Sequence, residues 1–245
     1  DNTIFDENKQ KILDEMNYKD KIDKDILSII PKNVKKIYCY SNGISHEKIN
    51  MMPIGVDLKG LNFNNELQIY NKINNNIIFD IYKNIDINNK KILCYYNLTL
   101  PPKNTYHWYG FERQYIYNNI KYKDFILKEN CNNHPRTYTI ENNYNFYFKL
   151  SQSKFMICPR GAGIDTYRMW DCIYFGCIPI IVKYDGYKEF KDLPILFVEK
   201  YQDYYELTEE YLNKKWSEMI NKNYNYDKIK INYWQKKIYN DFINK

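Results

Sequence analysis

FMICPRGAGIDTYRMWDCIYFGCIPIIV, residues Phe155 to Val182, is the stretch that decides the fold. The apolar run Phe155–Cys158 predicts a buried strand, Pro159–Ile164 a Gly-bearing turn, Asp165–Phe175 a helix and Ile178–Val182 a second buried strand. Strand, turn, helix and strand in that order make one βαβ unit of a parallel sheet. Ligands of open α/β sheets sit beyond the carboxyl ends of the strands. Arg160, Gly161 and Gly163 stand at such an end, and Asp165 and Thr166 stand where the helix begins. Glycine lets a ligand approach the backbone closely, and a helix start presents unpaired N–H groups with roughly half a positive charge. Arginine adds planar, bidentate recognition of a phosphate. The predicted chemistry is an anion site.

Composition points to the same window. The chain is rich in Asn, Lys, Ile and Tyr, yet no Asn falls between Ser151 and Glu210. Inside the helix, Asp165, Arg168 and Asp171 recur every third residue and share a third of the circumference. A cation for a diphosphate and a carboxylate for ribose hydroxyls are what a nucleotide needs. The plainer alternative is an Arg168–Asp171 ion pair worth about 0.2–0.5 kcal/mol. Neither a Walker loop nor a G-x-G-x-x-G fingerprint occurs.

Outside the motif the chain alternates strands and helices. Strands are expected at Lys36–Tyr40, Lys91–Tyr96 and Ile195–Val198. Helices are expected at 4–16, 22–30, 66–85, 111–120, 144–151, 208–220 and 226–244. Loops carry Ser41-Asn42-Gly43, Met51–Asp57 (MMPIGVD) and Asn97–Gly110. An Asn- and Asp-rich stretch at 85–90 divides the chain into a short N-terminal half (1–88), a C-terminal half (89–225) and a closing helix (226–245). At 245 residues with 44% hydrophobic content the chain can bury a substantial core, despite a mean hydropathy of −0.71. The 27 tyrosines account for the mismatch, since they score as polar but pack as large apolar bodies.

Charge argues against nucleic acid. The net formal charge is +6, but residues 151–210 carry 7 basic and 10 acidic side chains, so the excess lies thinly elsewhere. A nucleic-acid binder gathers its basic residues on one face. The six cysteines form no C-x-x-C pair, which argues against structural zinc and for a reduced compartment. No apolar run approaches the roughly 20 residues of a membrane span. A cytoplasmic protein is expected, with a lumenal domain of a membrane-anchored protein as the alternative. The Asn/Lys bias suits an AT-rich genome such as that of a large DNA virus.

The motif resembles the donor-binding segment of exostosin-like (family 47) glycosyltransferases. Ser153-Lys154-Phe155, Cys158-Pro159, Arg168 to Asp171 and Gly176-Cys177-Ile178-Pro179 match that family's elements in order. The α-1,3-fucosyltransferase-like group has a similar basic–acidic helix followed by Gly-x-x-Pro, and MMPIGVD is similar to the Pro-Ile-Gly loop of such enzymes. The resemblance implies a GT-B fold: two Rossmann-like halves with parallel sheets, the N-terminal one short or incomplete here. It implies transfer of a sugar from a UDP- or GDP-linked donor to a glycan or protein acceptor, and Arg160, Arg168 and the turn amides suit the leaving diphosphate without a metal. Arg160 and Arg168 would hold the diphosphate and Asp171, in place of the family's usual Glu, the ribose. The expected donor site is thus Arg113, Arg160, Gly161, Gly163, Asp165, Thr166, Arg168 and Asp171.

A base for the acceptor hydroxyl is sought among Asp57, His107 and Glu112. Asp57 ends the Pro-Ile-Gly loop. His107, Glu112 and Arg113 lie in an aromatic cluster suited to stacking on a sugar or to packing on the core. Asp23-Lys24-Asp25 is formally a D-x-D metal signature in a charged, solvated stretch, and the Asn97-Leu98-Thr99 sequon follows a buried strand. A non-catalytic carbohydrate- or nucleotide-binding domain of the same fold is the alternative function.

Overall fold

The computed structural model describes residues 29–41, 43, 45–56, 76, 78–98, 108–130, 140–161 and 163–243. Its centre is a five-stranded, all-parallel sheet in the order β4-β3-β5-β6-β7. The strands are β3 (Ile92–Leu98), β4 (Ile126–Asn130), β5 (Ser153–Ile157), β6 (Ile178–Val182) and β7 (Leu196–Val198). Helix α1 (Trp108–Ile120) links β3 to β4, α2 (Ile140–Ser151) links β4 to β5, and α3 (Tyr167–Tyr174) links β5 to β6. A four-residue α4 (Asp203–Glu206), α5 (Glu209–Met219) and α6 (Ile231–Ile243) complete the chain. This is a Rossmann-like α/β architecture.

Helices cover both faces. Aromatic contacts join α2 and α3 on one side, where Tyr147 meets Phe175 at 4.9 Å between centroids. On the other, Tyr115 of α1 meets Tyr205 of α4 at 5.2 Å, and Trp216 of α5 meets Phe155 at 5.9 Å. Strands buried on two faces read as continuous apolar runs, and every residue of β6 is buried. Pro179 is tolerated inside β6 because it precedes the β6–β7 ladder, which starts at Ile180↔Leu196. Its missing N–H therefore removes no bond to β7.

The Gly-x-x-Pro signature has a local cause. Gly176, with φ +62, follows the last turn of α3. Cys177 N–H donates to Cys172 O at 2.9 Å and Gly176 N–H to Ile173 O at 3.3 Å. That is the Schellman arrangement, which favours glycine at the left-handed position. The helix stops there and β6 begins at once.

At the opposite, amino end of the sheet, Lys90 is buried and donates to Ser151 O at 2.6 Å and Phe175 O at 2.9 Å. One ammonium thereby caps the carboxyl ends of α2 and α3, where helix dipoles favour a cation. Burial lowers its pKa.

The described N-terminal residues form a separate two-stranded parallel ladder, β1 (Ile37–Cys39) with β2 (Ile49–Met51). It packs on the 3-10 segment Asp185–Phe190 that follows β6, and on α6. Lys188 Nζ donates to Ser45 Oγ and His46 O, both at 3.2 Å, and the Tyr38 hydroxyl donates to Asp241 of α6. The expected helices at 4–16 and 22–30 lie outside the described residues but for the last two positions, and Asp23-Lys24-Asp25 lies wholly outside them.

Strand β4 and the short β2 are not anticipated by the sequence patterns. β4 reads ILKEN, an edge strand in which Leu127 is 37% exposed, so its apolar signal is a single inward Ile126. The motif helix is shorter than expected, Tyr167–Tyr174 rather than Asp165–Phe175. The described cysteines are free thiols, with Cys158 and Cys172 sulfurs 3.6 Å apart in the core. Among the described residues no helix is long and apolar enough to cross a membrane.

Candidate functional site

The strand order reverses between β3 and β5: the chain runs from β3 outward to β4, then returns to β5, β6 and β7. Such a switch point opens a crevice at the carboxyl ends of the strands. A cavity of about 620 Å³ lies where the chain leaves β5, lined by Arg113, Arg160, Gly161, Gly163, Asp165 and Thr166. Six of the expected donor-site residues therefore line one cavity. Tyr40, Ser41, Ile54, Ile164 and Tyr167 complete the lining.

The loop is set by the sheet and by its neighbours. Cys158 N–H still bonds Ile180 O of β6 at 2.9 Å, and Gly161 N–H turns back onto Gly163 O at 3.0 Å. The Tyr187 hydroxyl, from the 3-10 segment Asp185–Phe190, donates to Ile164 O at 2.7 Å. Two glycines make room for neighbours. A Cβ on Gly161 would stand 3.2 Å from Arg113 Nη2, and one on Gly163 only 1.9 Å from Ser41 Oγ.

Arg160 is committed to Glu112. Its Nε donates to both carboxylate oxygens at 2.9 and 3.1 Å, and its Nη2 to Oε1 at 2.7 Å. The side chains are 7% and 0% exposed. The cause lies in α1, where Glu112, Ile116 and Ile120 recur at four-residue spacing and are all fully buried. Helix packing carries the carboxylate into the core, and a buried carboxylate needs a partner. Burial pushes the Glu112 carboxyl up, while Arg160, the Tyr201 hydroxyl and Arg113 pull it back. The Tyr201 ring lies 5.9 Å from the Arg160 guanidinium carbon. With both oxygens held and no exposure, Glu112 is placed to position Arg160, not to meet an acceptor hydroxyl.

The neighbouring residue faces the cavity instead. Arg113 Nε donates to Arg160 O at 3.4 Å, and its guanidinium lies over Gly161. Its own carbonyl accepts from the Tyr96 hydroxyl of β3 at 2.8 Å, which fixes this turn of α1 against the sheet. Consecutive residues of one helix thus divide the labour, one pointing inward and one along the loop.

Asp165 is 5% exposed and ties three segments together. Its oxygens accept from Ile54 N–H at 2.6 Å and from Trp170 Nε1 at 2.6 Å, and also from Thr166 N–H. Its own N–H donates to Ser41 Oγ at 3.2 Å. Burial pushes its carboxyl up to about 7 against those donors. The Asp165 bonds draw residues 165 and 166 out of the helix, so α3 starts at Tyr167. Thr166 is the N-cap residue, and its hydroxyl makes no cap bond.

Arg168 and Asp171 are not among the described residues that line the cavity. The Arg168 Nη1 donates to Asn97 O at the carboxyl end of β3, and its guanidinium stacks over Phe146 at 5.1 Å. Asp171 is 7% exposed on the buried side of α3. Asp57 and His107 lie outside the described residues. Asn97 of the sequon is buried, with its amide donating to the Tyr95 hydroxyl at 2.7 Å and to Glu129 at 3.0 Å. That engagement makes it a core residue.

Tyr40, Ser41 and Ile54 were not picked out by residue-type reasoning. The signals were the Ser41-Asn42-Gly43 turn and the Pro-Ile-Gly loop, whose meeting with Asp165 only the fold reveals. Among the described residues no group of three or more His, Cys, Asp or Glu is arranged to hold a metal. No protein-family model matches the chain, and no curated protein is significantly similar to it.

Proposed function

We propose that this chain binds a nucleotide-sugar donor through its diphosphate and transfers the sugar to a glycan or protein acceptor, within a GT-B-like arrangement. The observation that carries the reading is the cavity at the carboxyl end of β5, with Arg113, Arg160, two glycines and the start of α3 on one wall. Its volume lies within the roughly 300–1,000 Å³ of ligand sites. The Arg113 guanidinium and the start of α3 border it, which suits the charge that develops on a leaving diphosphate. Arg113 supplies the direct contact and Arg160, clamped by Glu112, shapes the loop. Arg168 stands at the end of β3, where the other part of an extended donor would lie.

A second reading has its own support. Two carboxylates beside the cavity loop are engaged, Glu112 by Arg160 and Asp165 by Ile54 and Trp170. A domain that binds the nucleotide without transferring the sugar needs no base. Titration calorimetry with UDP, GDP and their sugar conjugates tests the shared donor site, and donor hydrolysis or transfer separates the two readings. Arg113→Ala is expected to weaken diphosphate binding at least tenfold. Normal binding in that variant would overturn the assignment.

A further inference from the structure

Two exposed aromatic rings border the cavity from opposite segments. Tyr40 follows β1 and is 66% exposed; Tyr167 opens α3 and is 43% exposed. Large side chains left this open in a cavity wall are unused contact area. The backbone beside Tyr40 is held in a costly conformation: Ser41 has φ +60, a region non-glycine residues avoid. It stays there because Ser41 Oγ accepts from Asp165 N–H at 3.2 Å and fits against Gly163, where a Cβ would lie 1.9 Å away. Such strain persists only when the surroundings over-determine it, and it clusters at ligand clamps.

We propose that Tyr40 and Tyr167 form the ring-binding end of the site and stack on the base of the bound nucleotide, with the Ser41 turn setting the position of Tyr40. The inference rests on the donor-site reading and makes it more specific. The cationic wall recognises the diphosphate whatever it carries. The two tyrosines make the site select a diphosphate bearing a flat ring. Every base has a π-face, so stacking alone favours nucleotides over simple phosphates while tolerating several bases. Discrimination among bases then falls to the polar groups around the rings.

The test compares three probes on the whole chain by calorimetry: inorganic pyrophosphate, UDP with GDP, and glucose 1-phosphate. The wild type is expected to bind a nucleoside diphosphate more tightly than pyrophosphate. Tyr40→Ala and Tyr167→Ala are each expected to lose about 5- to 150-fold of nucleotide affinity, with pyrophosphate binding unchanged and Phe at either position restoring it. Equal wild-type affinity for pyrophosphate and nucleotides would refute the stacking role while leaving the anion site standing. A loss for pyrophosphate equal to that for nucleotides would refute it too, by showing a collapsed loop. Preference for glucose 1-phosphate over nucleotides would assign the rings to a sugar and overturn the proposal. No binding of any probe would defeat the donor-site reading itself.

Discussion

Removing the Glu112 carboxylate is the sharpest perturbation of this molecule. Arg160 makes three N–H···O contacts to it between 2.7 and 3.1 Å, and the side chains are 0% and 7% exposed. Glu112→Ala leaves a guanidinium buried beside a hole with no counter-charge. Breaking a buried ion pair from one side costs about 3–5 kcal/mol. For a chain of 245 residues that is a fall of roughly 6–20 °C in melting temperature. Urea denaturation followed by circular dichroism reads the loss directly. The paired variant Glu112→Leu with Arg160→Met removes both charges and fills the space, and is expected to recover most of the loss. A loss below about 1 kcal/mol in Glu112→Ala would refute the reasoning, since a loss that small is what a solvated pair gives. Failure of the double variant to recover stability would show that Arg160 shapes the loop through contacts other than Glu112.

Three further outcomes are expected. Gly163→Ala drives a methyl group onto Ser41 Oγ and is expected to cost about 1–3 kcal/mol; adding Ser41→Gly, which removes that oxygen and suits φ +60, is expected to restore stability in thermal melts. Because burial raises Asp165 to about 7, the folded chain keeps a proton that the unfolded chain has lost between pH 4 and 7. Stability is therefore expected to fall as pH rises through that window, by about 4 kcal/mol at most, and level off above it; the pH–stability profile of Asp165→Asn should lack this decline, and an unchanged profile would overturn the assignment. Lys90→Met keeps the apolar stem but uncaps α2 and α3, and is expected to cost about 1.5–3 kcal/mol in urea titrations. Its nucleotide affinity should not change, because Lys90 lies at the far end of the sheet.

The βαβ heart of this fold was legible because each of its signals is local. β5 and β6 are buried on both faces and read as apolar runs, and Gly176-Cys177-Ile178-Pro179 carries its own helix stop and strand start. Edge strand β4 was not legible, since its polar end Lys128-Glu129-Asn130 leaves only Ile126-Leu127 as an apolar pattern, with Leu127 exposed. The residues on the loop after β5 that line the cavity were singled out from type and spacing alone. Their partners were not. Arg160 reads as a phosphate ligand until its partner 48 residues away is seen. The four-residue row Glu112, Ile116, Ile120 is the clue that a carboxylate was bound for the core. Ser41 and Ile54 reach the cavity through contacts spanning more than a hundred residues, which no local pattern encodes.

That separation bears on how the protein is made. Ile54 and Asp165 are 111 positions apart, and Tyr38 and Asp241 are 203 apart. At about 5–20 residues per second, the β1–β2 segment leaves the ribosome roughly 6–22 s before its anchor on the motif loop and about 10–40 s before its anchor on α6. During that interval its apolar strands have no surface to rest on. The cavity therefore cannot be completed until the loop after β5 has emerged, and a chain stalled before α3 carries an N-terminal segment without its anchor.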